Sequence, residues 1–185
     1  MMWILFLILI AVFSMGVVVL LYNRLVRDRN LVKESWSGID VQLRRRYNLI
    51  PNLVETVKGY AKHEESVLED VVKFRNQSIA AGEVKEQAQA ETGLTRALRG
   101  LFALAEAYPD LKANQNFLEL QKNLNEIEEQ IQLARRYYNG TVRNYNTRVE
   151  SFPHLIIARM FNFQAAEFFE IELDSQRELP EVKFS

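Results

Sequence analysis

The first residues, MMWILFLILIAVFSMGVVVLLY, carry no charged side chain from Met1 to Tyr22. Nothing else in the chain constrains its fold as tightly. As a helix, about 22 residues rise roughly 33 Å, enough to cross the hydrocarbon core of a bilayer. Leu, Ile, Val and Phe dominate the run, and each favours insertion by about 0.3–0.6 kcal/mol at the helix centre. Ser14 and Tyr22 are its polar interruptions. A cleaved signal needs a basic start, a shorter apolar stretch and a small-residue cleavage site. Here no Lys or Arg precedes the run, and the chain continues Tyr22-Asn23-Arg24-Leu25. Residues 1–22 therefore read as a retained transmembrane anchor, with membrane lipid as its partner. The sequence holds no Cys, which excludes a lipid-modified cysteine, disulfides and thiolate metal sites.

Arg24, Arg27, Arg29 and Lys33 follow the span, and only the terminal amine precedes it. By the positive-inside rule, the C-terminal body faces the cytoplasm. The expected location is the bacterial cytoplasmic (inner) membrane, crossed once. With 23 basic and 24 acidic residues, the chain has no strong field to attract nucleic acid. Its basic residues beside the anchor suit topology and contact with anionic headgroups.

With only 7 Gly and 4 Pro there are few places for helices to break. Leu25, Val32, Trp36, Ile39, Leu43, Tyr47 and Ile50 recur at spacings of three, four or seven, which is one helical face. Neither Pro nor Gly separates this face from the anchor, so anchor and first helix read as one rod to about Tyr47. Gly38 is a weak point in it, costing about 1 kcal/mol relative to Ala. Pro51 disfavours helix at Ile50, and a break is expected there, with Asp40, Gln42, Asn48 and Asn52 flanking the turn. A second helix carries Leu53, Val57, Tyr60, Val67, Val71 and Phe74 and fades near Gly82. A third runs from Val84 to Ala105 and stops at Tyr108-Pro109-Asp110, with Asp110 as the next cap. The fourth is marked by Phe117, Leu120, Leu124, Ile127, Ile131, Ala134, Tyr138, Val142, Tyr145, Val149 and Phe152, a stripe close to a coiled-coil seam. Its outer face carries Lys122, Glu126, Glu128, Glu129, Arg135 and Arg136. Ser151-Phe152-Pro153 ends it. The expected fold is all-α: a transmembrane helix continuous with an antiparallel bundle of about four long helices. The bundle spans 23–152, and a Phe-rich segment and tail span 153–185.

Several motifs resemble the LemA family of bacterial membrane proteins. These are Tyr22-Asn23-Arg24-Leu25-Val26 with Arg29-Asn30, Trp36-Ser37, and the stretch through Glu64 that reads IDVQLRRRYNLIPNLVETVKGYAKHE. Tyr108-Pro109-Asp110-Leu111-Lys112-Ala113, Asn116-Phe117, Ala134-Arg135-Arg136-Tyr137-Tyr138-Asn139, Tyr145-Asn146 and Phe152-Pro153 are similar too. The likeness covers nearly the whole chain. It implies a four-helix bundle on an N-terminal anchor, but no activity. Some relatives are lipoproteins with extracytoplasmic bodies, and this chain lacks their cysteine. Others belong to magnetosome membranes, which implies a role in membrane organisation.

The residues themselves argue against catalysis. His63 and His154 are far apart, and Tyr60 and Ser151, not Glu, stand three positions before them, so the Glu-x-x-His di-iron pattern fails. His63-Glu64-Glu65 is not His-Glu-x-x-His, and no Gly-rich phosphate loop occurs. No catalytic residue, cofactor or metal is expected, and Arg44-Arg45-Arg46 reads as a solvated face. Trp36 reads as a core anchor, and Tyr137 and Tyr138 with Asn139, and Tyr145 with Asn146, as packing and hydrogen-bonding between helices. Asp40, Arg44, Asn48 and Asn52 form the one candidate ligand or partner region. Phe161, Phe163, Phe168 and Phe169, beside Leu155, Ile156, Ile157 and Met160, exceed what a small bundle readily covers and mark an expected oligomer interface. Two functional classes follow. The first is a structural or scaffolding protein that assembles with itself and with other membrane proteins. The second is a ligand-responsive sensor with a pocket near the Asp40–Asn52 turn.

Overall fold

The computed structural model describes residues 1–61 and 63–171. Among them are six helices and no strand: α1 (Met2–Lys58), α2 (Glu65–Ala80), α3 (Val84–Ala105), α4 (Pro109–Lys112), α5 (Gln115–Glu150) and α6 (His154–Met160). The protein is all-α, and α1 is the one helix among the described residues long and apolar enough to cross a membrane. The charged end of the tail, Leu173 to Ser185, lies outside the described residues.

The expected break at Pro51 does not occur. Proline removes one helical N–H, and its missing partner is the carbonyl four residues back, here that of Tyr47. Nε of Arg75, from α2, donates to that carbonyl at 2.8 Å. A side chain from a second helix thus satisfies the group that proline orphans, and α1 continues for 57 residues to Lys58. The turn comes instead after Gly59. The moved boundary also shifts the buried face of α2, which is Leu68, Val71 and Ser78 rather than a stripe starting at Val67.

The described chain divides into two compact units. The first contains Met1–Ile39 and Ala134–Glu167. Leu25, Val32 and Ile39 of α1 are buried there, as are Tyr138, Val142, Tyr145 and Val149 of α5. Each fully buried Leu, Ile or Val contributes about 1.5–3 kcal/mol. Cross-pairs run in opposite chain directions: Asp28 with Arg148, Ser35 with Thr141 (Oγ–Oγ1 2.9 Å), and Trp36 against Tyr138 (centroids 5.3 Å). The two helices are therefore antiparallel. Phe152, at the end of the expected seam, is instead 80% exposed, because α5 ends at Glu150.

After α6, Asn162 adopts a left-handed conformation (φ 55°), which Asn tolerates better than most residues. Phe163 N–H then reaches the Ala158 carbonyl at 2.9 Å and Asn162 N–H the Arg159 carbonyl at 3.4 Å. This is a Schellman stop, and it sends the chain back along α5. The Asn146 amide clamps Ala166 from both sides, donating to its carbonyl at 2.9 Å and accepting from its N–H at 2.8 Å. Tyr138 OH donates to the Glu167 carbonyl at 2.8 Å. Tyr138 and Asn146 thus hold the returning segment as well as packing within the unit.

The second unit contains Asp40–Leu133 and the chain from Phe168. Here α1 and the first half of α5 run antiparallel, with Arg46 opposite Glu128 and Tyr60 opposite Asn114, and so do α2 and α3, with Ser78 opposite Gln87. The helices α2 and α3 approach closely at Gly93, where an added Cβ would run into the Phe74 ring. Asp110 does not act as a cap. Pro109 takes the first helical position of α4 and leaves Tyr108 at the cap. Asn114 caps α5 instead, its Oδ1 accepting from Phe117 N–H at 3.0 Å.

Candidate functional site

On α1, residues 39, 43, 46, 50, 53 and 57 alternate by four and three. Five of them are apolar and buried; the sixth is Arg46, 1% exposed. On α3, residues 84, 87, 91, 94, 98, 101 and 105 repeat the pattern, and it includes Gln87 (8% exposed) and Glu91 (0%). These exceptions meet. Nη2 of Arg46 pairs with Oε2 of Glu91, and Nη1 pairs with Oε2 of Glu128 on α5 at 2.8 Å. Tyr47 OH donates to Oε1 of Glu91. Gln87 Nε2 reaches the same Oε1 at 2.8 Å, the Tyr47 oxygen at 2.8 Å and the Ser78 carbonyl at 3.1 Å. Gln132 Nε2 holds the other oxygen of Glu128 at 3.0 Å. Three helices of one unit are tied at a single level.

The electrostatics follow from burial. Removal from water pushes the Arg46 guanidinium below its ordinary range, opposed by the charge of Glu128. Removal from water also raises the Tyr47 phenol, which therefore stays a donor at neutral pH. A buried arginine flanked by two carboxylates meets the pairing that buried charge requires. Sliding α1 by one turn, about 5.4 Å, would part Arg46 from both. Glu91, covered by Tyr47 and Gln87, is closed to solvent.

A cavity of about 160 Å³, lined by Arg46, Glu128, Thr95, Leu98, Arg99, Phe102, Leu124 and Asn125, borders the network directly, and two larger grooves lie along α1. One, of about 520 Å³, is lined by Asp40, Arg44, Tyr47, Asn48, Ser78, Ile79, Ala81 and Gln87. It brings together three of the four residues expected from sequence. Asp40 and Arg44 are paired there at 2.9 Å, one helical turn apart. Asn52 is left out: it is exposed, and its carbonyl accepts from the Thr56 hydroxyl at 2.8 Å. None of the four flanks a turn, because α1 does not turn there. The other groove, about 660 Å³, lies between Arg45, Asn48 and Leu49 of α1 and α5 residues such as Asn123, Glu126 and Gln130. Of the expected interface phenylalanines, Phe161 and Phe168 are exposed (50% and 41%), whereas Phe163 and Phe169 are buried in their own chain. Among the described residues, no group of three or more His, Asp or Glu is placed to hold a metal ion.

A model of the LemA family matches residues 35–184. The chain belongs to the LemA family. It is 26% identical to Protein LemA of Metamycoplasma hominis, over 92% of this chain and 83% of that protein. It is 25% identical to Magnetosome protein MamQ 2 of Paramagnetospirillum magneticum and 24% identical to Magnetosome protein MamQ of Magnetospirillum gryphiswaldense, in each case over 80% of this chain. It spans 64% of the length of these two magnetosome relatives. Fold and family together make it a membrane-associated helical protein.

The polar network of this LemA-family chain lies within the matched region, and charge runs along the sequence do not reveal it. They place Arg46 with Arg44 and Arg45 on a solvated face, and Glu128 on the outer face of α5. The signal that does reveal it is register: position 46 falls on the apolar stripe of α1, and positions 87 and 91 on that of α3.

Proposed function

We propose that this protein is a membrane-anchored scaffold whose helical body assembles with copies of itself and with other membrane proteins. The observation that carries this reading is the continuity of α1. The charge-free run, its large side chains facing outward (Trp3 79% exposed, Phe13 74%), and the segment bearing Arg46 are one unbroken helix. Bodies held on such anchors in one membrane meet at high effective concentration, so weak lateral contacts add up. Exposed Phe161 and Phe168 are the reachable part of the contact. The magnetosome names of two relatives accord with a structural role. Crosslinking in membranes and particle size in mild detergent test it. A homo-oligomer is expected, and Phe168→Ser should shrink the particle while helicity stays. A wild type that is monomeric in detergent and crosslinks to no copy of itself refutes self-assembly.

The proposed location is the bacterial cytoplasmic membrane with the body on the cytoplasmic side, from Arg24, Arg27, Arg29 and Lys33. Ser185→Cys should resist an impermeant thiol reagent in intact cells, and ready labelling refutes that side.

The 520 Å³ groove favours a second reading, a ligand-responsive module. Tyr47 and Gln87 line it and also belong to the buried network, so a bound molecule would touch the network directly. Small charged metabolites should then raise the melting temperature of the wild type but not of Arg44→Ala. No shift across such a set removes this reading.

A further inference from the structure

The end of α5 and all of α6 return to the point where the apolar run of α1 stops. Tyr22 closes that run, and its ring meets Phe161 edge-on at 4.8 Å and Phe163 at 5.6 Å. Asp28 pairs with Arg148 less than two turns further along α1. Within this unit α6 therefore lies at the level of Tyr22. An aromatic residue at the end of a span marks the headgroup boundary.

At that level α6 shows two apolar faces. Ile157 and Ala158 are buried in their own unit. Ile156 and Met160, one turn apart on α6, are 52% and 67% exposed, and Phe152, in the turn before the helix, is 80% exposed. Residues four apart share a helix face. Exposed apolar side chains scattered singly need no explanation, but two on one helix face, with a third in the turn before it, beside the end of an apolar span do. Exposed charges nearby are mostly basic: Arg24 and Arg27 on α1 and Arg159 on α6, with Glu150 opposing. Asp28 is already neutralised by Arg148. An apolar face edged by arginines suits an anionic lipid surface.

We propose that α6 is an interfacial helix lying in the headgroup layer of the leaflet from which α1 emerges, its Ile156–Met160 face and Phe152 of the preceding turn set among the lipid chains. The body then has a second membrane contact, which fixes the height and rotation of the first unit relative to the bilayer. The occupant is phospholipid rather than a protein because α6 lies at the level of Tyr22, where the apolar run read as the span ends. This inference rests on α1 crossing the membrane.

The native chain has no cysteine, so single-cysteine variants of the full chain can each carry one fluorophore. Ile156→Cys and Met160→Cys place it on the proposed face, Arg136→Cys on the exposed side of α5, and Leu9→Cys within the span. The probe is quenching by brominated lipid in phosphatidylglycerol-containing vesicles, with aqueous iodide as the reciprocal measurement and circular dichroism to confirm helicity. Labels at 156 and 160 should be quenched by lipid several-fold more than the label at 136, and by iodide less. If Leu9 is quenched by lipid while 156 and 160 behave like 136, α6 does not touch the membrane and the anchor stands. If 156 and 160 are shielded from both quenchers, a second protein surface covers the face, and the lipid assignment is wrong. If Leu9 also escapes lipid quenching, the anchor reading falls and takes this inference with it.

Discussion

Arg46→Met tests whether the buried network stabilises the body as the geometry implies. Arg46 is 1% exposed and Glu91 0%. Met fills much of the same volume, so little cavity is left behind. What remains is Glu91, whose Oε1 keeps Tyr47 and Gln87 while Oε2 loses its counter-ion. Removing one partner of a buried pair costs about 3–5 kcal/mol. Proton uptake bounds that cost: protonating an ordinary carboxyl (pKa about 4.3) at pH 7 requires roughly 4 kcal/mol, and at pH 5 roughly 1 kcal/mol. For a protein of this size each kcal/mol shifts the melting temperature by about 2–4 °C. The variant should therefore melt roughly 6–16 °C below wild type at pH 7, and the deficit should shrink towards pH 5. The double variant Arg46→Met/Glu91→Leu should recover most of the loss. Glu128 keeps Gln132 and partial solvent contact, and Gln87 keeps Tyr47 and the Ser78 carbonyl. The assay is thermal unfolding of the full chain in mild detergent, followed by circular dichroism. A single variant melting with wild type, or a double variant worse than the single, refutes the reasoning.

Arg75→Met should destabilise by about 1–3 kcal/mol, the penalty for a buried carbonyl left unmade, and the loss should largely vanish in a Pro51→Ala background, where Ala supplies the missing N–H; equal losses in both backgrounds would show that Arg75 does not serve the Tyr47 carbonyl. Burial, reinforced by Arg148 and Arg24, holds the His154 imidazole below its ordinary range against the pull of Asp28, so its contribution to stability is full above the unfolded pKa near 6.5 and is lost as pH falls. Melting of the wild type should drop on acidification below about pH 6.5, and His154→Gln should flatten that drop; an unchanged pH profile in the variant would remove His154 as a cause.

The long apolar N-terminal helix, the helical class and several helix ends are legible in the sequence because their causes are local. A charge-free run of this length needs no partner to be read, and the stripes of α3 and α5 repeat over many turns. Ser151-Phe152-Pro153 stops α5 with residues next to the stop. Local rules fail where the deciding atom comes from elsewhere. Pro51 breaks a helix by local rules, and α1 passes through it because Arg75 is delivered by α2. Arg46 reads as one of three surface arginines, yet Glu91 and Glu128 arrive from α3 and α5 to pair with it. Of the candidate ligand residues, position along α1 groups Asn52 with Asp40, Arg44 and Asn48, but only the last three face the groove that α2 and α3 complete.

What the sequence determined by itself was whatever depends on composition and spacing along one helix: insertion energy, periodicity, and caps or stops within a turn. Tertiary structure alone decided which polar groups are removed from water and which apolar ones are left outside. Phe163 and Phe169 went inside, while Phe152, Ile156 and Met160 stayed exposed. The reason is one of reach. A residue's intrinsic preference is worth about 1 kcal/mol or less. Burying or orphaning a charge is worth several, and that energy comes into play only once distant helices have met.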